Sequence, residues 1–248
     1  MKKHVKMILT ALLFVFVLAP AAKANAAVVT PATPGGLNLY SQDGSKVGLY
    51  WNFDSNLSYY SDAYPGYYGY EVTVKTLKNA SIAVLDSDKD SFYANSPKSG
   101  QCAVIFTNSK LKTQGFKFSV RSYVYDENQQ KVYSAPSSEK VIIPRPTIKS
   151  RKMVKNKVKL TYNKVTGAKN YTIYLSSNNG KSFKKIGTTS KTSFTIANTK
   201  NLKRYKDYYV YVQANGVKYK GKKYNSTKPL DKGSNSVGFY IKTVYKYY

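Results

Sequence analysis

Histidine and cysteine are nearly missing from this chain of 248 residues, which holds one of each, His4 and Cys102. His4 falls in a leader that is expected to be removed, leaving the mature chain without an imidazole. Charge-relay triads, histidine metal sites and most proton transfer near neutral pH then lose their usual side chain. A Cys–His nucleophile is excluded on the same ground, and a lone thiol closes no internal disulfide. Cys102 precedes Ala103, Val104, Ile105 and Phe106, so it reads as a small apolar residue of a buried strand. Carboxylates are also scarce, 12 against 40 lysines and arginines, and no pair of them stands out for glycoside chemistry. No catalytic residue, cofactor or metal is assigned, and the chain is expected not to be an enzyme.

Long apolar runs are confined to the start. Met1 to Lys6 is basic, and the apolar run from Met7 to Leu18 falls short of the roughly 20 residues a membrane helix needs. Ala24-Asn25-Ala26 follows as a small-x-small cleavage site. Residues 1–26 therefore read as a secretory signal peptide, with no transmembrane anchor expected.

The rest is punctuated by Gly and Pro, and Val, Ile, Thr, Tyr and Phe recur in short runs, an all-β signal. Strands are expected at Leu37–Tyr40, Val47–Trp51, Tyr70–Val74, Ile82–Leu85, Ala103–Phe106 and Phe116–Val120, with Val132–Ile143 closing a first unit. Val47, Leu49 and Trp51 share a face, which makes Trp51 the core anchor. Pro144-Arg145-Pro146 is a stiff, extended boundary. Behind it the order restarts. Val158, Leu160 and Tyr162 repeat the first spacing, and Tyr171, Ile173 and Leu175 repeat that of Tyr70, Val72 and Val74. Lys184–Ile186, Phe194–Ile196, Tyr208–Ala214 and Val237–Ile241 supply the remaining strands. In the stretch Leu202 to Ala214, Tyr208, Val210, Val212 and Ala214 alternate inward, with Tyr209, Tyr211 and Gln213 outward.

The stretch "KLTYNKVTGAKNYTIYLSSNNGKSFKKIG", with Leu202 six residues before Tyr208, resembles fibronectin type III repeats of exported Gram-positive proteins. The resemblance implies two tandem immunoglobulin-like β-sandwiches after a cleaved signal peptide, residues 27–143 and 144–248. It also implies a tyrosine corner at Tyr208. Tyr162 stands where the family usually has tryptophan, and Phe116, with Leu111 five residues before it, replaces the corner tyrosine of the first copy.

Function on such a scaffold sits in its loops and faces, so the differences between the copies carry the information. Nineteen positions separate Trp51 from Tyr70, against nine between Tyr162 and Tyr171. The extra residues hold Tyr59, Tyr60, Tyr64, Tyr67 and Tyr68 among Ser, Gly and Asn, the composition of adaptable binding loops. Binding a ligand and capping the end of the sandwich both remain open for these rings. Charge is the second difference. Residues 27–144 carry 11 basic and 10 acidic side chains; residues 145–248 carry 25 basic ones against Asp207 and Asp231. Self-repulsion on that scale points to an anionic partner. Third, Tyr174, Tyr209 and Tyr211 face out in the basic copy, near Lys218, Lys220, Lys222 and Lys223. Stacking on a ligand and cross-strand pairing within the sheet are equally open.

Asp86-Ser87-Asp88-Lys89-Asp90 opens like a calcium loop. Ser91 replaces its turn glycine, though, and Pro97 its bidentate acid, so it reads as an acidic turn. These features together lead to the expectation of a secreted or cell-surface binding and adhesion protein, held electrostatically at a bacterial wall. Its partner is expected to be a wall polymer, a glycosaminoglycan of a host matrix, or nucleic acid. A carbohydrate-binding accessory module or a structural spacer of an extracellular enzyme system is the alternative.

Overall fold

The computed structural model describes residues 30–57, 68–93, 100–126, 128–154, 157–178, 180–197, 202, 208–228 and 239–241. The expected signal peptide lies outside them. The strands are β1 (Asn38–Asp43), β2 (Lys46–Asn52), β3 (Tyr68–Thr76), β4 (Ser81–Asp86), β5 (Phe92–Tyr93) and β6 (Gln101–Thr107). Then come β7 (Phe116–Tyr125), β8 (Lys131–Tyr133), β9 (Lys140–Ile142), β10 (Ile148–Val154), β11 (Lys157–Tyr162) and β12 (Asn170–Ser176). The last six are β13 (Lys184–Thr189), β14 (Ser193–Ala197), β15 (Tyr208–Asn215), β16 (Val217–Tyr219), β17 (Lys222–Tyr224) and β18 (Phe239–Ile241).

One sheet runs β1-β2-β6-β5, and a second runs β4-β3-β7-β8 with β9 also on β7. That is the A-B-E-D order of an immunoglobulin constant-type sheet against C-F-G, with an added edge strand beside C. The order recurs as β10-β11-β14 against β13-β12-β15-β18, with β16-β17 as a separate hairpin. The chain is thus all-β, a tandem pair of immunoglobulin-like sandwiches.

Alternation builds each core. On β2, Val47, Leu49 and Trp51 are fully buried, as are Val72 and Val74 on the facing β3. A fully buried side chain of this size contributes about 1.5–3 kcal/mol, so these few positions decide which face of each strand turns inward. Trp51 meets Tyr70 edge-on at 5.4 Å and Phe92 at 5.7 Å. In the second sandwich Tyr162 meets Tyr171 at 5.2 Å, also edge-on. The hydroxyls of the two partner tyrosines do the same job. Tyr70 accepts from the amide of Asp54 at 3.1 Å, and Tyr171 accepts from that of Val165 at 3.0 Å. Each amide stands three residues after its strand's inward aromatic, where the chain leaves the sheet and would otherwise lose a partner.

Phe116 and Leu111 are both fully buried, so the first copy fills its corner with apolar packing. Tyr208 is 2% exposed in the equivalent place, with Leu202 against the same core. In both copies a serine just past the end of a short strand, β8 or β17, bonds back to the long strand β7 or β15. Ser134 Oγ accepts from Ser122 N at 3.0 Å, and Ser226 Oγ from Ala214 N at 2.8 Å.

The two cores meet at consecutive residues: Ile142 belongs to the first and Ile143 to the second. Leu77 and Val141 also pack against the second core. Polar groups close the seam. Glu139 receives Lys117 at 2.5 Å, Tyr219 at 2.7 Å and Lys220 at 3.0 Å, while Gln42 receives Arg145 at its carbonyl and Thr227 at its side chain.

Candidate functional site

Of the tyrosine-rich insertion, Tyr59, Tyr60, Tyr64 and Tyr67 lie outside the described residues. The part that is described shows what frames it. Asp54 turns the chain by accepting Asn56 N on its side chain at 2.9 Å, and Leu57, fully buried, pins the start of the insertion to the core. Tyr68 opens β3, half-buried and edge-on to Phe53 at 6.4 Å. A groove of about 580 Å³ lies here, with walls that include Phe53, Tyr68, Phe92, Cys102, Gln101 and Asp88. The volume falls in the usual range for small-ligand sites. The walls combine aromatic rings with hydroxyl, amide and carboxylate groups, and no cationic side chain lines them among the described residues. Cys102, half-buried beside Trp51 in register, has its thiol pushed up by burial, against reactivity.

The acidic turn holds a cation of the chain's own. Lys131 of β8 places its ammonium 2.6 Å from Asp86 and 2.9 Å from Asp88. Tyr123 donates to Asp86 at 2.7 Å, Tyr125 donates to Asp88, and the ammonium lies 3.8 Å from the centre of the Tyr123 ring. Burial works against ionisation of both carboxyls. Hydrogen bonds outweigh it, chiefly from Lys131 and Tyr123 at Asp86 and from Tyr125 and Lys131 at Asp88, and both stay below the usual range. Gly69 makes room for this cluster, since a Cβ there would collide with Ser87 Oγ and the Tyr123 hydroxyl. Next to it Arg121 pairs with Glu71 at 2.7 Å and stacks 3.6 Å over Tyr133.

In the second sandwich the expected aromatic stripe is present but largely self-covered. Tyr174 and Tyr211 are in register on β12 and β15, and their rings stack at 4.7 Å and 9°. Phe183 then meets Tyr211 edge-on at 4.9 Å. Tyr211 therefore points away from the core, as the alternation requires, yet is only 5% exposed. Burial pushes its phenol up to about 12. Gln213, also expected outside, is 9% exposed and donates to Ser226 O at 2.9 Å. The correction has one cause: the outer face of this sheet has its own cover, which period-two reasoning does not see. Tyr174 and Tyr209 remain half-exposed, and Tyr209 pairs in register with Ser176 on one side and Tyr240 on the other.

Lys218, Lys220, Lys222 and Lys223 sit together on the β16–β17 hairpin, all exposed. Lys220 and Gly221 have positive φ, 46° and 75°, the pattern of a type I′ turn, in which glycine fits and lysine is strained. Lys220 is engaged with Glu139, whereas Lys218 and Lys223 oppose each other across the hairpin. Among the described residues of the second sandwich there is no carboxylate at all. Lys220 accordingly finds its ion-pair partner in a glutamate of the first sandwich.

Sequence reasoning missed Lys131 as the partner of the acidic turn, and missed the Glu139 clamp. Lys131 and Asp86 are 45 positions apart and Tyr219 and Glu139 are 80 apart, and nothing local marks either pair. No helix among the described residues is long and apolar enough to cross a membrane.

No protein-family model matches this chain, and no curated protein matches it. Among solved structures it is similar to the crystal structure of chicken CNTN1 FN1–FN3 domains, at 15% identity. That similarity covers 80% of this chain and 69% of the other, with a TM-score of 0.31. The fold stands on the strand order and register of the chain itself, repeated in its two halves.

Proposed function

We propose that the chain is a secreted or surface-associated, non-enzymatic binding and adhesion protein of a Gram-positive bacterium, built of domains 27–143 and 144–248. The basic second domain holds an anionic polymer: a wall polymer, a glycosaminoglycan or nucleic acid. One observation carries this reading. Residues 145–248 carry 25 basic side chains against two acidic ones, and their described part displays exposed lysines with no carboxylate of its own, a charge excess that favours an anionic partner. The test is equilibrium binding of the protein to heparin, wall teichoic acid and single-stranded DNA in 50 mM salt. Binding to at least one supports the reading; binding to none ends it.

A second reading, a carbohydrate-binding accessory module, is favoured by the groove at Phe53, Tyr68 and Phe92. Its rings suit the C–H faces of sugars, and its amide and hydroxyl groups suit their hydroxyls. Titration with neutral oligosaccharides distinguishes it: binding that resists salt and is lost in Tyr68→Ala supports it, and salt-sensitive binding alone rejects it.

A further inference from the structure

The outer face of sheet β10-β11-β14 carries a lysine cluster apart from the tyrosine stripe and the hairpin. Along β11, Val158, Leu160 and Tyr162 are buried, which turns Lys157, Lys159 and Thr161 outward. Lys152 of β10 stands directly opposite Lys159, and Ser150 opposite Thr161, their hydroxyls 2.6 Å apart. On the other flank, Thr195 of β14 is opposite Lys159 and Ser193 is opposite Thr161. Neighbouring strands lie about 4.8 Å apart, and alternate residues of a strand about 6.7 Å. Three ammonium stems are thus rooted in a triangle with sides of roughly 5–8 Å, fringed by small hydroxyls.

This arrangement costs the fold stability. Like charges directly opposite on a sheet destabilise it, and Lys152, Lys157 and Lys159 take part in no ion pair among the described residues. All three are exposed. An external anion relieves the repulsion, and regularly repeated anions relieve it best, because the stems repeat at strand spacing. None of Ser150, Lys152, Lys157, Lys159, Thr161, Ser193 or Thr195 offers a ring on which a base could stack.

We infer that this face is the contact surface for a hydroxyl-rich polymer bearing repeated phosphate or sulfate groups. The lysines take the anions, and Thr161 and Thr195 bond to the polymer's hydroxyls. The inference rests on the polyanion reading above and narrows it to one surface and one chemistry.

The test compares the protein with two variants of equal charge, Lys152→Ser/Lys157→Ser/Lys159→Ser and Lys218→Ser/Lys222→Ser/Lys223→Ser. The probes are heparin, poly(glycerol phosphate) and oligo(dT), at 50 mM salt. The sheet variant is expected to lose at least tenfold in affinity for heparin, poly(glycerol phosphate) or both, and the two arms tell sulfate from phosphate. The hairpin variant is expected to lose no more than about threefold. The sheet variant should also melt no lower than the unmodified protein, since it loses a repulsion. Equal losses in both variants, or tightest binding to oligo(dT), overturn the inference and leave the polyanion reading standing. An unmodified protein that binds none of the three overturns that reading itself.

Discussion

The hydroxyl of Tyr219 in the second sandwich donates a 2.7 Å hydrogen bond to the carboxylate of Glu139 in the first. Lys117, almost wholly buried, meets the same carboxylate at 2.5 Å and the same hydroxyl at 3.0 Å. A pair of modules with so little acid in one of them uses a scarce carboxylate to tie the two together. The groove of the first sandwich and the lysine face of the second are consequently carried by one linked unit.

Glu139→Gln should loosen that tie. The hydrogen bond from Lys117 is the main cause that holds the Glu139 carboxyl down at about 2, from an ordinary value of 4.5. A group with a depressed folded pKa stabilises the fold above its unfolded value and loses that effect as pH falls through the folded one. The contribution is therefore complete above about pH 4.5 and fades toward pH 2. The Glu139 side chain is a third exposed, so solvent screening limits the loss in the Glu139→Gln variant to about 1 kcal/mol at neutral pH. Thermal melts from about pH 7 down to about pH 2.5 should show the variant and the unmodified protein converging in acid.

Lys131→Met should be more damaging than removal of any exposed lysine. It strands two neighbouring carboxylates, Asp86 and Asp88, with tyrosine hydroxyls and the Asp88 amide as the remaining donors. We expect a loss of about 2 kcal/mol, between the values for surface and buried pairs. Adding Asp86→Asn and Asp88→Asn should restore much of it, read as the shift in urea midpoint. Failure to restore would mean that Lys131 acts through its stem packing on Tyr123.

The sandwiches themselves were readable because Val47-Gly-Leu-Tyr-Trp51 and Val158-Lys-Leu-Thr-Tyr162 repeat one inward spacing. β10 escaped because a bulge between Ile148 and Ser150 breaks the alternation inside a run of charges, Lys149, Arg151 and Lys152. The β16–β17 hairpin escaped because its turn is Lys220-Gly221 rather than the usual Asn-Gly. The site was less legible. Lys157 and Lys159 announce themselves as outward residues, but only strand register brings Lys152 to them.

Tyr70→Phe and Tyr171→Phe should each cost about 1 kcal/mol, because each leaves one backbone amide, of Asp54 or Val165, without its acceptor. The two share no partner, so the double variant should lose the sum. Chemical denaturation of the four proteins checks this.

Tyr211→Ala should destabilise by about 3 kcal/mol and Tyr174→Ala by distinctly less, since the first ring is buried beneath Phe183 and the second is half-exposed. Comparable losses in both would contradict the covered-stripe description.

The most direct test of the central claim is the slope of log affinity for heparin against log salt concentration, from about 50 to about 200 mM. An anionic polymer held by about five lysines should give a slope near −3.5, or roughly a hundredfold weakening over that range. A steep negative slope of this order is the result the account predicts. A slope near zero at measurable affinity would contradict it, because the unneutralised lysines of the second sandwich would then be no part of the contact.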